Sequence, residues 1–328
     1  MINLQIGNSL IVKSKKNEVK KACHKLFEFL KLEDKLGQID KIFIKPNVVS
    51  LQHYTVGSIT DPLVIAELVN HIRESCDKKI FIVESETIWK TRKRIEGQEP
   101  DYDENEQLLG FNISLKNSGI RKITNSVKNT QALNITRAKK LHSDFVLQKI
   151  NKKFGKKARG VFPEFLRMIP VEFNSRAIFI SLSKIKSHRF SDAKVTNCLK
   201  NQFGVISYPD KTIYHHKLSQ AILYVNMIVQ SFFDCYYITE ALRYTMEGGG
   251  PTRGDTLKNL GIAVAGKNPV EIDAISAELM EVNPSRLDYL QLARNALGSY
   301  NEESLRQIPK DFRHRFRLHP DIEKLTRN

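Results

Sequence analysis

The chain has 328 residues, of which 41% are hydrophobic and 27% are charged, and its formal net charge is +16. This composition is typical of a globular protein with a substantial core and excludes a disordered chain, and no apolar run approaches the ~20 residues of a membrane-spanning helix. The excess of Lys and Arg favours an anionic partner, which could be nucleic acid, a membrane surface, or a phosphorylated or carboxylated small molecule.

The cysteines exclude several classes of site. They are far apart and include no CxxC pair, which argues against a disulfide framework and against a cysteine-ligated zinc or iron–sulfur site: Cys23, Cys76, Cys198 and Cys235. The first residues do not follow the charged, then apolar, then small-residue order of a secretory signal. We therefore expect a cytoplasmic protein.

The first 86 residues predict alternating strands and helices. "LQIGNSLIV" is typical of a strand, and an amphipathic helix is expected around residues 17–34. "DKIFIKPN" and "KKIFIVESE" are predicted strands, and "TDPLVIAELVNHIRE" between them is a predicted helix. Thr60 or Asp61 would be the N-cap of this helix, and Pro62 would lie in its first turn. This strand–helix–strand unit indicates a parallel sheet with a right-handed crossover.

The regular pattern resumes at about residue 171. "RAIFISLSKIK" is a predicted strand, "DAKVTNCLKNQFG" a helix ending at Gly204, and "YHHKLSQAILYVNMIVQSF" a long, largely buried helix. Strands in "CYYITEALRYTM" and "LKNLGIAVAG" precede a last helix in "VEIDAISAELMEV". The expected fold is α/β, a mainly parallel, doubly wound sheet with helices on both faces.

The expected organisation is a single domain over residues 1–328, in one or two lobes. Residues 86–165 are mostly polar and are interpreted as an insertion or cap, and residues 300–328 as a basic C-terminal extension. Basic clusters at 148–160 and 313–320 are interpreted as solvated loops or extensions, because no nucleic-acid-binding motif accompanies them.

Several predicted strands end in polar residues. One ends in Lys45 and Asn47, the next in Glu84-Ser85-Glu86, and "IFISLSKIKSH" ends in Lys184, Lys186 and His188. Ligands of open α/β sheets bind outside the carboxyl ends of the strands, so these groups are expected to meet at one rim. If the strand persisted, alternation would place Lys184, Lys186 and His188 on the face of Ile178. The structural alternative is a set of strands that have reached solvent, where Lys, Pro and Asn are common.

Two further segments carry candidate residues. The glycines of "EGGGPTRGD", including Gly249 and Gly250, would allow a close backbone approach to an anion, with Arg253 as a second donor. In the predicted helix, Thr196 and Lys200 would lie on one face beside Asn201. An ordinary loop and the polar face of a helix explain these two patterns equally well.

His215 and Asp273 complete the set of candidates, with Asp273 or Glu247 as a carboxylate that orients His188. No HExxH or calcium-loop pattern assigns a metal, and a divalent metal stays open.

Seven motifs together resemble the DUF362 family, whose members have no assigned function. They occur in the expected order over about residues 40–85 and 175–300: "IFIKPNVV", "TDPLVIAELV", "SLSKIKSH", "VTNCLKNQFG", "KTIYHHKL", "MEGGGPTRGD" and "NPVEIDAISAELM". The resemblance implies a cytoplasmic α/β protein. Some members carry a ferredoxin-like iron–sulfur module, but this chain lacks the cysteine spacing for it, and a separate redox partner stays open.

The resemblance also implies a set of site residues. They are Lys45, Asn47, Asp61, Lys184, Lys186, His188, Thr196, Lys200, Asn201, His215, Gly250, Pro251, Gly254 and Asp273. Asp61 is left out of the predicted site, because capping a helix explains it.

Two functions from different classes fit the sequence. In the first, an enzyme binds an anionic small molecule through its lysines, with His188, Lys186 and Asp273 as catalytic residues and with Lys45, Asn47, Lys184, Thr196, Lys200, Asn201, His215, Gly249, Gly250 and Arg253 binding the substrate. In the second, the basic segments bind nucleic acid or another polyanion.

Overall fold

The computed structural model describes residues 1–87, 104–188, 194–250, 254–320 and 322–323. Its strands are β1 (Ile2–Ile6), β2 (Ser9–Lys13), β3 (Lys41–Pro46), β4 (Lys79–Glu84), β5 (Thr130–Asn134), β6 (Ala177–Lys184), β7 (Lys186–Ser187), β8 (Val195–Thr196), β9 (Asp234–Ala241), β10 (Tyr244–Glu247), β11 (Asp255–Lys258) and β12 (Ile262–Gly266). Its α-helices are α1 (Val19–Leu30), α2 (Glu33–Leu36), α3 (Pro62–Ser75), α4 (Glu104–Asn117), α5 (Ile120–Ser126), α6 (Ser143–Phe154), α7 (Pro163–Leu166), α8 (Cys198–Asn201), α9 (Leu218–Phe232), α10 (Pro269–Leu279), α11 (Asp288–Ala293) and α12 (Glu302–Arg306). None of the helices described is long and apolar enough to cross a membrane.

An eight-stranded sheet in the order β1-β2-β12-β9-β6-β3-β4-β5 forms the centre of the fold. The five strands from β9 to β5 are parallel to one another, whereas β12, β2 and β1 continue the sheet through antiparallel pairs. Two small hairpins, β7-β8 and β10-β11, lie outside this sheet. The predicted α/β fold with a mainly parallel sheet is confirmed.

Helices cover both faces of the sheet, as the doubly wound prediction requires. One face packs residues such as Ile44 and Ile180 against α1, α3, α4 and α5. The other face packs Phe43 and Phe179 against the helices that follow β5. Alternate residues of β6 therefore enter two different apolar clusters, which explains why this strand is apolar throughout.

The N-terminal segment differs from its prediction. "LQIGNSLIV" is not one strand, because Gly7 adopts a φ of +55° and turns the chain into the β1-β2 hairpin. In the next predicted unit, Asp61 caps α3 by accepting the backbone N–H of Leu63, and Pro62 occupies the first turn as expected.

Residues 104–165, within the segment interpreted as an insertion or cap, contribute an edge strand to the central sheet. In this segment β5 pairs in parallel with β4, and α5 packs on β5. The division of the chain into domains stays a prediction.

The predicted helix over "DAKVTNCLKNQFG" is wrong in its first half, because the helical turns of the described residues begin only at Cys198. Lys194 adopts a φ of +53°, Val195 and Thr196 pair with β7, and α8 has only four residues before a short 3₁₀ turn. The i, i+4 spacing of Thr196 and Lys200 is therefore not the face of one helix.

The basic cluster at 148–160 is largely exposed, as expected for a solvated segment, but it is helical and not a loop. Residues 148–154 belong to α6, and Gly155–Ala158 is a 3₁₀ turn. The segment after residue 300 contributes Phe312, Phe316 and Leu318 to the core, and the carbonyl of Arg317 accepts the N–H of Gly248.

Candidate functional site

A cavity of about 80 Å³ lies at the carboxyl ends of β3 and β4, next to the chain that leaves β6. It is lined by Lys45, Asn47, Val48, Val49, Glu84, Ser85, Thr87, Lys186, His188, Thr196, Lys200, Asn201, Phe203, Gly204 and Lys211. A single water needs only ~10–15 Å³ of such space, so the cavity can hold several waters or a group of the size of a small oxyanion. Seven of the thirteen predicted site residues line it: Lys45, Asn47, Lys186, His188, Thr196, Lys200 and Asn201.

Lys45 and Glu84 form an ion pair in the cavity wall. The lysine Nζ is 2.7 Å from Glu84 Oε2 and also donates to the carbonyl of Pro46, and the Lys45 side chain is 1% exposed. The two residues lie at the carboxyl ends of adjacent parallel strands. A Cβ on Gly204 would lie 2.6 Å from both Lys45 Nζ and Glu84 Oε1, so a larger residue there would have to displace this ion pair.

Asn47, Asn201 and Lys186 form a second polar network. Lys186 Nζ donates to Asn47 Oδ1 (3.0 Å) and to the carbonyl of Ser58, while Asn47 Nδ2 donates to Asn201 Oδ1 (3.2 Å). Asn201 Nδ2 donates in turn to the carbonyl of Lys45 (2.8 Å). This network fixes both amides and holds the buried Lys186 ammonium at the cavity.

His188 and Lys200 form a pair of titratable groups, with Nε2 and Nζ 3.2 Å apart. Burial, reinforced by the charges of Lys200 and Lys186, holds the pKa of His188 well below its usual 6.5. Burial also lowers the pKa of Lys200 to about 8. At neutral pH the imidazole is therefore neutral and can accept a proton.

Lys211 was missed by sequence reasoning and reaches the cavity from the 3₁₀ segment Lys211–Lys217. Its Nζ donates to the carbonyl of Glu86 at 2.8 Å, and burial lowers its pKa to about 8. Burial, together with the charges of Lys200 and Lys184, also lowers the pKa of Lys186 well below its ordinary value of 10.5. Three lysines at one cavity thus have ammonium groups that are poorly compensated.

Two hydroxyl groups of the cavity wall have no hydrogen-bond partner in the described part of the chain. Ser85 Oγ and Thr196 Oγ1 are buried and have no hydrogen-bond partner among the residues described. Because an unsatisfied buried hydroxyl is costly, each is suited to bind an oxygen of a ligand.

Lys184 lies elsewhere, although the sequence groups it with Lys186 and His188. It is fully buried, and its Nζ is 2.7 Å from Glu240 Oε1 on the neighbouring strand β9. The alternation of β6 places it on the face of Ile178, Ile180 and Leu182, which is the face opposite Phe43. Its ion pair is a structural one.

Asp273 also lies outside the cavity wall. Its carboxylate accepts the backbone N–H groups of Cys198 (2.8 Å) and Leu199 (3.3 Å) and the hydroxyl of Tyr289 (3.1 Å). Burial raises its pKa to about 7. Asp273 therefore anchors the start of α8, the segment that carries Lys200, and does not orient His188.

The remaining predicted residues lie near the cavity or outside the described chain. His215 does not line the cavity, but its charge contributes to the low pKa of His188. Gly250 packs on the chain next to His188, since a Cβ there would lie 2.8 Å from the carbonyl of Ser187, and Gly249 has a φ of +149°. Neither glycine lines the cavity, and Arg253 lies outside the described residues.

Among the described residues, no group of three His, Cys, Asp or Glu side chains is placed to hold a metal ion. Among the described residues that line the cavity, the only carboxylate is that of Glu84, and it is already paired with Lys45. Four lysines and one carboxylate therefore line the cavity among the residues that the structure describes.

Three comparisons place the chain among known proteins. The search of curated proteins found no significant match. Among solved structures, the chain is similar to a crystal structure of a Thermotoga maritima protein from the Northeast Structural Genomics Consortium, with 10% identity and a TM-score of 0.34, over 88% of this chain and 60% of that one. This score is too low to support an argument about fold or function. A family model described as a domain of unknown function, DUF362, matches residues 42–278, which include every residue of the cavity wall, and the chain therefore belongs to the DUF362 family.

Proposed function

We propose that this protein is an enzyme that binds a small carboxylated or phosphorylated molecule in the cavity, with His188 as its general acid–base. The observation that carries the proposal is the convergence of four lysines on one small cavity. Among the described residues, the only carboxylate that lines this cavity is Glu84. The lysines are Lys45, Lys186, Lys200 and Lys211.

The electrostatics favour an anion. Burial disfavours the charged form of Lys186, Lys200 and Lys211 and lowers the pKa of each. A bound anion would restore the missing opposite charge and raise these pKa values, so anion binding is expected to take up protons. Ser85 and Thr196 would supply neutral donors to the same ligand.

The roles of the other groups follow from their contacts. Glu84 holds Lys45 in place, and Asn47 holds Lys186. The neutral His188 can take a proton from a bound ligand and return it. The ammonium group of Lys200 beside it is a second proton donor. Lys184 and Asp273, which the sequence places in the site, keep the structural positions described above.

The alternative function is polyanion binding through the basic segment at residues 148–160 and the C-terminal tail. Lys153 Nζ donates to the carbonyl of Gln230 and Lys157 Nζ to that of Asn295, each at 2.5 Å. Lys149 lies 5.4 Å from the centroid of the Phe145 ring. These lysines make contacts within the protein, and the enzyme proposal is therefore the better supported one.

Calorimetry with two matched double variants tests the choice. Lys200→Met/Lys211→Met removes two cavity charges, whereas Lys149→Met/Lys152→Met removes two charges from α6. We expect sulfate to bind the wild type and the α6 variant equally and the cavity variant at least ~10-fold more weakly, since each charged hydrogen bond contributes about 1.5–3 kcal/mol. Equal sulfate binding by all three proteins, with a duplex oligonucleotide bound less by the α6 variant alone, would contradict the proposal.

The catalytic part has its own readout. Wild type and His188→Gln would each be incubated with a mixture of small carboxylates and phosphate esters, followed by mass spectrometry. We expect the wild type to convert at least one of these anions, and His188→Gln to retain sulfate binding and lose the conversion. Conversion by His188→Gln at the wild-type rate would remove His188 from the mechanism.

A further inference from the structure

Lys200 differs from Lys45 and Lys186 in its access, and from all three other cavity lysines in its hydrogen-bond partner. Lys45 and Lys186 are each 1% exposed. Glu84 holds Lys45, while Asn47 and the carbonyl of Ser58 hold Lys186. Lys200 is only partly buried, and its hydrogen-bond partner in the described part of the chain is the imidazole of His188. An amine that a ligand can reach, beside a proton acceptor, is the arrangement of a nucleophilic lysine.

We propose that Lys200 forms an imine with a carbonyl group of the bound anion, so that the substrates are aldehydes or ketones that also carry a carboxylate or a phosphate. This inference rests on the proposed function and deepens it by naming the substrate class. The anionic group would bind at Lys45 and Lys211, and the carbonyl carbon would lie at Lys200.

The chemistry balances with the groups present. The unprotonated fraction of Lys200 attacks, and its lone pair forms a C–N bond while the carbonyl π bond shifts to oxygen. His188 Nε2 takes one proton from the new nitrogen and passes it to this oxygen, which gives a carbinolamine. His188 then passes the second N–H proton to the hydroxyl, which leaves as water as the C=N bond forms. Amine and carbonyl compound thus give imine and water, and no oxidant or reductant takes part.

The protonation state supports this role. With a pKa of about 8, roughly a tenth of Lys200 is the free amine at neutral pH, against less than about one in a thousand for an ordinary lysine. Lys211 has a similar pKa but donates to the carbonyl of Glu86 and has Glu84 near it. The proposal therefore assigns the reaction to Lys200 and predicts that Lys211 is not modified.

Reductive trapping of the full chain tests the inference. The protein would be incubated at neutral pH with glyoxylate and sodium cyanoborohydride, and modified lysines would be located by peptide mass spectrometry. We expect Lys200 to react at least ~10-fold faster than the surface residue Lys149, because a larger fraction of it is unprotonated. Its rate should saturate with glyoxylate and fall when sulfate is added, and acetaldehyde, which has no anionic group, should show no such preference.

Variants make each outcome decisive. Lys200→Arg keeps the charge and should lose the preferred modification, Lys149→Arg should keep it, and His188→Gln should slow it. Modification of all lysines at the same rate would overturn the inference, and so would preferred modification of Lys211. Sulfate binding measured by calorimetry on the same samples separates the two proposals. If sulfate binds and Lys200 does not react preferentially, only the imine is wrong, and if sulfate does not bind, the anion site itself is wrong.

Discussion

At the scale of single residues, Lys200 and Lys211 should make anion binding in the cavity depend on pH. Each has a pKa of about 8, so each loses its charge in the free protein as the pH rises through that value. A bound anion favours the protonated form, and binding must therefore weaken as the pH rises. We expect sulfate affinity to fall as the pH rises through about 8, measured by calorimetry with this anion because it does not titrate in the range.

The matched variants also serve as controls for this pH dependence. Lys200→Met/Lys211→Met should flatten the profile, and Lys149→Met/Lys152→Met should leave it unchanged. A profile that is flat in the wild type would show that these two lysines do not sense the ligand.

Gly204 is the second residue whose replacement is informative. A Cβ at this position would lie 2.6 Å from Lys45 Nζ and from Glu84 Oε1, so Gly204→Ala must displace the ion pair in the cavity wall. We expect sulfate binding about tenfold weaker, and a loss of stability of about 1–3 kcal/mol as in other overpacked sites. Calorimetry and urea unfolding measure the two effects.

Gly37→Ala is the matched control for this substitution. It has ordinary helical backbone angles, and a Cβ there meets no atom within 4 Å. Its sulfate affinity should equal that of the wild type, and if Gly204→Ala behaved in the same way, the close packing at the ion pair would have no role in binding.

Some of these residues could be predicted from the sequence and others could not. Lys45, Lys186 and His188 are recognisable because polar groups follow apolar strands. Lys211 follows no strand, and Gly204 has a role only because Lys45 and Glu84 meet there. Contacts of this kind depend on tertiary packing, which local patterns do not contain.

At the scale of elements, the β6-β9 pair explains why Lys184 is not a binding residue. Lys184 faces Glu240 on β9. Glu240 Oε1 also lies 3.3 Å from the backbone N of Asp61, and Glu240 Oε2 accepts the N–H of Leu242 at 3.0 Å. The pair therefore joins two central strands to the start of α3.

We expect Lys184→Met to destabilise the protein by about 3–5 kcal/mol, because it leaves a buried carboxylate without its cation. The double variant Lys184→Met/Glu240→Leu should recover part of this loss, since removing both charges avoids the unpaired one. Urea unfolding of the single and double variants gives the coupling energy. A stable Lys184→Met variant with weakened sulfate binding would instead return Lys184 to the site.

Element predictions succeeded where a single strand or helix determines the pattern. The alternation of Ile178, Ile180 and Leu182 predicted one face of β6, and Asp61 and Pro62 predicted the start of α3. The region around Thr196 failed because β8 exists only through its pairing with β7, which is a tertiary contact.

At the scale of the whole molecule, the parallel half of the sheet could be predicted and the antiparallel half could not. Strand–helix–strand order implies parallel neighbours, which holds for β3, β4, β6 and β9. The pairing of β2 with β12 joins residues about 250 positions apart, and no local pattern indicates it. The net charge of +16 predicted an anionic partner but not the position of the four lysines that meet at the cavity.

The pairing of β2 with β12 has a consequence for the order of events during synthesis on the ribosome. Ser9 pairs with Gly266, so the N-terminal hairpin emerges long before the strand on which it docks. Helix α1 packs on α3 as well as on β12, so its packing is completed only when β12 has emerged. The nascent chain therefore exposes the apolar side chains of β2 and part of those of α1 until β12 has emerged from the exit tunnel, and during this interval a holdase-type chaperone would have its natural binding site there.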